Sequence, residues 1–229
     1  ADIAVYDDST KEELKEKLKE LEGINVKYYL GNDDFYIDDI DFAIKSPGIK
    51  YEIPLIQKLL SKNIKVISDV EAAYLITKGV IVSITGTNGK TTTTTLVGEI
   101  IKESKRKYKL TGNIGFGIFL DALDAQADEI LVAETSSFQL AGTYDFKPHV
   151  SVLTNISPDH ISLYEHKDFD DYIRCKKTLF KQCKLGFVNK DSEHFLSITE
   201  GSHCPITTFA ITNKADFNAV NPAFTSGDN

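Results

Sequence analysis

No stretch of this chain approaches the roughly 18 consecutive apolar residues that a membrane-spanning helix needs. The N-terminus, Ala-Asp-Ile-Ala-Val-Tyr-Asp-Asp, is acidic and has neither the positive flank nor the apolar core of a secretory signal. No membrane partner is therefore expected. Positive charge is also in short supply: 26 Lys and Arg stand against 34 Asp and Glu, a formal net charge of −8. That balance argues against nucleic acid as the main partner, since a phosphate backbone is held by a surplus of cations. Cysteines are few and odd in number: Cys175, Cys183 and Cys204. So sparse a set reads as free thiols in a reducing, cytoplasmic compartment, not as a disulfide framework.

The chain does have material for a core, with 41% hydrophobic residues over 229 positions. That length suits one large domain or two small ones. Strands alternate with helices, which predicts an α/β fold with a mostly parallel, doubly wound sheet. Ile3–Tyr6, Asn25–Leu30, Asp41–Lys45 and Ile64–Ile67 read as strands. Ser9 with Glu12, and Ser68 with Glu71, have capping-box spacing and open helices. Leu14, Leu18 and Leu21 mark the buried stripe of the first helix, and Pro54 opens another that Asn63 closes. The acidic stretch Asp33–Asp41 reads as loop or short helix. Lys78-Gly79 is the candidate boundary between a domain at 1–78 and one at 79–229. Later strands are expected at Val80–Ile84, Tyr108–Leu110, Glu129–Glu134, Val150–Asn155, Gly186–Asn189 and Thr207–Ile211. Helices are expected at Phe116–Leu123, Ser137–Ala141 and Asp168–Cys183, and the tail from Asn213 reads as loop.

The most informative stretch is Val80–Thr95. An apolar run, Val80–Ile84, leads into Gly86-Thr87-Asn88-Gly89 and then Lys90-Thr91-Thr92 at a helix start. Leu96, Val97, Ile100 and Ile101 are spaced for one apolar face of that helix. Strand, glycine turn, Lys-Thr and helix form a phosphate loop. Backbone N–H groups and the helix N-terminus bind phosphate oxygens, Lys90 reaches the terminal phosphates, and the Thr91 hydroxyl ligates magnesium. The strict pattern wants one more glycine where Ile84 stands, so the loop is a variant.

Ligands of open parallel sheets sit beyond the carboxyl ends of the strands. Asn113, Glu134, Asp159 and His160 all follow expected strands and can converge on Lys90 and Thr91. A hard cation there would take oxygens from Thr91, Glu134 and the nucleotide, with imidazole possible at a second metal.

Four motifs in order then resemble the Mur ligases of peptidoglycan synthesis: Gly86-Thr87-Asn88-Gly89-Lys90-Thr91, Thr111-Gly112-Asn113-Ile114-Gly115, Glu134-Thr135-Ser136-Ser137-Phe138-Gln139-Leu140, and Leu153-Thr154-Asn155-Ile156-Ser157-Pro158-Asp159-His160. The third is similar to the D-glutamate-adding branch. Tyr172-Ile173-Arg174-Cys175-Lys176 is similar to the family's Tyr-x-x-x-Lys helix. The likeness covers essentially residues 1 to 211. It implies a partial Rossmann-like UDP-binding domain followed by a central ATP-binding domain. It also implies an ATP-dependent ligase joining D-glutamate to UDP-N-acetylmuramoyl-L-alanine, working as a cytoplasmic monomer.

By the same resemblance, Gly86 to Thr92 would hold ATP, and Lys90 would contact its terminal phosphates. Thr91 and Glu134 would hold one Mg2+, and His160 with a carbamylated Lys176 a second. Lys90, His160 and Lys176 would be catalytic. Asn113, Ser136, Gln139 and His160 would line the UDP-sugar substrate, with Asp7, Asp8, Ser46 and Gly48 contacting its nucleotide. A carbamate forms only on a neutral amine, so the Lys176 site must depress that lysine's pKa.

Departures are visible. The family's opening strand and glycine turn, its closing Gly-x-His-Asn segment and its third domain are not in this sequence, so residues before Ala1 are expected. Ile161-Ser162-Leu163 replaces the usual Leu/Met-Asp-Arg. Two alternatives stay open: a folylpolyglutamate synthase-like ligase, which shares the scaffold, and a nucleotide-binding module without catalysis.

Overall fold

The computed structural model describes residues 2–31, 40–115, 117–159, 161 and 166–220. His160, most of the acidic stretch from Asp33, Phe116 and the tail beyond Val220 lie outside the described residues. The chain forms two compact units, one of Ala1–Phe42 with Glu52–Lys65 and one of Ala43–Tyr51 with Val66–Asn229.

In the first unit, β1 (Ile3–Asp7) and β2 (Val26–Leu30) pair in parallel, Ile3 opposite Val26 through Asp7 opposite Leu30. The helix joining them is shorter than its leucine stripe suggests: α1 covers only Lys15–Lys19, after a run of turns. α1 has no side-chain cap; the Ser9–Glu12 box is not formed, and a reciprocal pair stands one residue later, in the turns before the helix. Thr10 N and Oγ1 donate to Glu13 Oε2 at 2.7 and 2.9 Å, whereas Ser9 N is taken by Asp7 Oδ1 at 2.8 Å. The unit also holds α2 (Pro54–Ser61), with proline in the first turn, where its missing N–H costs nothing, and Ile56 and Leu59 buried. Asn63, at φ 59°, closes the turn after it.

In the second unit, apart from their first residues, β3 (Phe42–Lys45) and β4 (Lys65–Ser68) make a two-stranded sheet, and α3 (Asp69–Ile76) follows. The main sheet contains β5 (Val80–Thr85), β6 (Tyr108–Gly112), β7 (Ile130–Glu134), β8 (Val150–Leu153), β9 (Leu185–Asn189), β10 (Ile206–Ala210) and β11 (Phe217–Asn218). Its order is β11-β10-β9-β8-β5-β7-β6, and every pairing between these strands is parallel. Helices α4 (Lys90–Glu103), α5 (Ile118–Asp124), α6 (Ser137–Ala141), α7 (Phe169–Lys177), α8 (Leu179–Gln182) and α9 (Phe195–Thr199) alternate with the strands. Strands covered on both faces must be apolar throughout, and Ile81, Leu131, Leu153 and Val188 are buried in one core with Ile118, Leu140, Leu179 and Phe180 from the helices.

Three local expectations are revised. The helix from Asp168 breaks at Thr178 into α7 and α8. Glu71 does not return to its own helix N-terminus; Ser68 caps α3 alone. And α4 does not bury Leu96 and Ile100, which are 59% and 61% exposed. It buries Thr94 and Gly98, because the bare Gly98 backbone lets Leu110 and Tyr108 of β6 approach closely. Helix α9 and strand β11 were not anticipated.

Candidate functional site

β5 is the strand at which the sheet reverses: β7 lies on one side and β8 on the other, so the loops after all three open side by side. Such switch points are where open α/β sheets bind ligands. The loop from Gly86 to Gly89 leaves β5 there and turns into α4, with Gly89 at φ 75° as the cap.

The segment after β8 clamps this loop. Thr87 N donates to Asn155 O at 3.0 Å and Asn88 N to Asn155 Oδ1 at 2.9 Å. Asn155 Nδ2 and Thr154 Oγ1 both donate to Asn88 O, at 2.9 and 2.7 Å. The buried Thr87 hydroxyl donates to Ser157 O at 3.1 Å and lies 3.1 Å from the Tyr172 hydroxyl. These bonds tie the loop to the segment after β8.

The segment after β7 supplies a carboxylate. Glu134 is 2% exposed, and its Oε2 accepts from Thr91 Oγ1 at 2.7 Å. Its Oε1 accepts from Asn113 Nδ2 at 3.2 Å, and Asn113 N donates to its carbonyl at 2.8 Å. Gly112 makes that approach possible: at φ 93°, a Cβ there would stand 2.1 Å from Glu134 O. Lys90 Nζ folds over the loop and donates to Thr87 O at 2.9 Å. Thr92 is exposed on the first turn of α4.

Lys176 is the most unusual group. It is 1% exposed on α7, and its Nζ donates to Thr85 Oγ1 at 3.2 Å and Gly86 O at 3.0 Å, beneath the loop. Its Nζ stands 4.5 Å from the centre of the Tyr172 ring, one helical turn earlier. Burial, and then repulsion from Lys90, pushes its pKa down to about 7. A large fraction of the amine is therefore neutral near neutral pH.

Ser136 and Gln139 sit just past Glu134, beyond the same end of β7. They form a full capping box on α6, with Gln139 N donating to Ser136 Oγ at 3.2 Å and Ser136 N to Gln139 Oε1 at 3.0 Å. Gln139 is 1% exposed, and its Nε2 donates to Asp69 Oδ2 at 2.9 Å. Burial raises the Asp69 pKa, against the Gln139 hydrogen bond. Ser46 and Gly48 are exposed on the turn after β3, where Ile49 N donates to Ser46 O at 3.0 Å.

In the first unit, Asp7 and Asp8 follow β1. Asp7 Oδ1 accepts from Ser9 N at 2.8 Å, which lowers its pKa, and Asp8 Oδ1 accepts from the Tyr6 hydroxyl at 2.7 Å. Asp8, Thr10 and Gly31 line a groove of about 870 Å3 with Lys11, Lys15 and Lys19.

The structure thus brings Lys90, Thr91, Asn113, Glu134 and Lys176 around one loop. Sequence reasoning did not give Tyr172, Thr154 and Asn155 their parts as the loop's supports, nor Asp69 as the partner of Gln139. Tyr172 carries a usable signal, since it lies four residues before Lys176 and so on the same helix face.

The family profile described as the Mur ligase middle domain matches residues 84–228. A UDP-N-acetylmuramoylalanine--D-glutamate ligase of Alkaliphilus oremlandii is 41% identical over 184 residues, 79% of this chain and 40% of that protein. One from Clostridioides difficile is 37% identical over 222 residues, 94% of this chain and 49% of that protein. The chain spans about half the length of the curated relatives it matches. Among solved structures, the UDP-N-acetylmuramate:L-alanyl-gamma-D-glutamyl-meso-diaminopimelate ligase from Neisseria meningitides aligns with a TM-score of 0.57 at 16% identity, over 90% of this chain and 69% of that one. A UDP-N-acetylmuramoyl-L-alanyl-D-glutamate--2,6-diaminopimelate ligase aligns at 0.54 and 20%, over 87% of this chain and 53% of that one. These structures support the fold.

Proposed function

This chain belongs to the Mur ligase family, and from that premise we propose that it carries the ATP site of a ligase adding D-glutamate to UDP-N-acetylmuramoyl-L-alanine. The observation that carries the reading is the Thr91–Glu134 contact at 2.7 Å, set beside Lys90 and Lys176 at one phosphate loop. A buried carboxylate with a hydroxyl against it is a hard-oxygen donor pair, which fits Mg2+. Lys176 fits a second such site once its neutral amine takes up carbon dioxide, because the carbamate presents oxygens where the amine presents protons. His160 is assigned to that second site by the motif it completes.

In this reading the loop N–H groups and Lys90 bind the β- and γ-phosphates of ATP. The terminal L-alanine carboxylate attacks the γ-phosphorus, ADP leaves, and an acyl phosphate forms. Magnesium, when bound, neutralises charge on the transferring group. The D-glutamate amine then attacks the acyl carbon and phosphate departs. A free carboxylate cannot undergo that substitution, because its oxygen is a poor leaving group. Asn113, Ser136 and Gln139 orient the sugar-linked substrate from the neighbouring strand ends, with Asp7, Asp8, Ser46 and Gly48 on its nucleotide end. Residues 1–78 form part of a UDP-binding domain and 79–229 the ATP-binding domain. The protein works in the cytoplasm as a monomer, without nucleic-acid or membrane partners. The net charge of −8 speaks against nucleic acid as the main partner, and among the described residues no helix is long and apolar enough to cross a membrane.

The test is the Lys90→Ala variant of the full-length protein. Ligation should fall by several orders of magnitude, while binding of UDP-N-acetylmuramoyl-L-alanine stays nearly unchanged. Wild-type turnover in that variant would refute the assignment.

A further inference from the structure

At the opposite end of the main sheet, two of the three cysteines meet. Cys183 caps α8 and leads into β9, and Cys204 leads through Pro205 into β10. The parallel register sets Gly186 opposite Ile206, with Gly186 N donating to Pro205 O at 2.9 Å. Cys183 lies three residues before Gly186 and Cys204 two before Ile206, so both sit where the paired strands begin. Their Sγ atoms are 2.6 Å apart, well inside ordinary non-bonded contact, and both residues are buried. The surroundings are tightly packed: Cys204 Sγ lies 3.4 Å from Phe180 O and 3.3 Å from Ser202 Oγ, which in turn donates to Phe180 O at 2.8 Å. A Cβ on Gly186 would stand 2.7 Å from Ile206 and 2.9 Å from Phe180, so the two strand entries are packed closely together.

We propose that Cys183 and Cys204 form a two-electron redox site, which closes to an intramolecular disulfide when the protein meets a peroxide. The Cys204 sulfur attacks one peroxide oxygen and the O–O bond breaks, giving a sulfenic acid and water. The Cys183 sulfur then attacks the sulfenic sulfur, the S–O bond breaks, and a second water leaves with the Cys183 proton. Two thiols and one hydrogen peroxide thus become one disulfide and two waters. Burial and its hydrogen bond to Cys204 push the Cys183 thiol up. Cys175 stands apart from the pair on α7, where burial raises its thiol to about 11. The bond would anchor the end of the helical run that carries Lys176, while leaving the phosphate loop at the other end of the sheet untouched. In a reducing compartment it would be a transient state, not a permanent staple.

The experiment treats the native full-length protein with hydrogen peroxide, alkylates remaining thiols and maps peptides by mass spectrometry. A peptide pair joined through Cys183 and Cys204 is expected, with Cys175 still alkylated and the link reversed by dithiothreitol. The oxidised protein should melt several degrees higher than the reduced one, and the rise should vanish in Cys204→Ser. Full alkylation of Cys183 and Cys204 under peroxide that oxidises a control dithiol would overturn the proposal. So would sulfinic acids without the joined pair, or a lower melting point on oxidation.

Discussion

Gly86 can hold no side chain where it stands. A Cβ there would lie 1.9 Å from Thr154 Oγ1 and 3.2 Å from Asn155 O. Gly86→Ala should therefore push the clamp off the loop and destabilise the second unit by about 2 kcal/mol, with nucleotide binding lost in the same titration. Unchanged ATP binding would mean the clamp is not needed. Lys176 gives a pH signature. Its folded pKa of about 7 lies below the ordinary lysine value of 10.5, so between these pH values the unfolded chain holds a proton that the folded chain has released. Stability then rises with pH across that window, on the order of 1 kcal/mol per unit, and is lost as pH falls through about 7. In bicarbonate-free buffer, melting curves of Lys176→Met should lack that rise; equal slopes in both proteins would show that Lys176 is not the source. Gly86 and Gly89 could be read from the sequence, because turn chemistry is local, whereas Lys176 is reached only through the family resemblance. The oxygen that meets Gly86 could not be read, because Thr154 is distant in the chain and arrives only through strand pairing.

At the level of elements, Glu71 ties α3 to the segment after α6. Its carboxylate oxygens accept from the backbone N–H groups of Tyr144, Asp145 and Phe146 at 3.0, 2.8 and 3.0 Å. An amide cannot accept at both ends, so Glu71→Gln should destabilise by about 2 kcal/mol, measured by denaturant midpoint. A change near zero would mean the segment finds other acceptors. Tyr172→Phe removes the hydroxyl beside Thr87 and should weaken ATP binding a few-fold while leaving the melting point within a degree or two; that would separate support of the loop from support of the core. Capping and amphipathic patterns were only partly readable. Ser136 and Gln139 close a box as their spacing suggests, but Ser68 and Glu71, with the same kind of spacing, do not, because the buried Glu71 has three stronger partners. The apolar spacing of Leu96 and Ile100 does not mark the packed face of α4, because a glycine, Gly98, makes the closest packing against β6.

For the molecule as a whole, α/β alternation announced a parallel sheet, yet strand order could not be deduced from it. Placing β7 and β8 on either side of β5 is what turns four separate motifs into one site, and that is a product of long-range pairing. The same pairing at the far end sets Cys183 against Cys204, which sparse cysteine counting could not suggest. The decisive measurement is phosphate release by the full-length protein with Mg2+ and ATP, in the presence and absence of UDP-N-acetylmuramoyl-L-alanine and D-glutamate. Release that needs both substrates and vanishes in Lys90→Ala is the expected result. Release indifferent to the UDP sugar, or persisting without Lys90, would remove the ligase assignment.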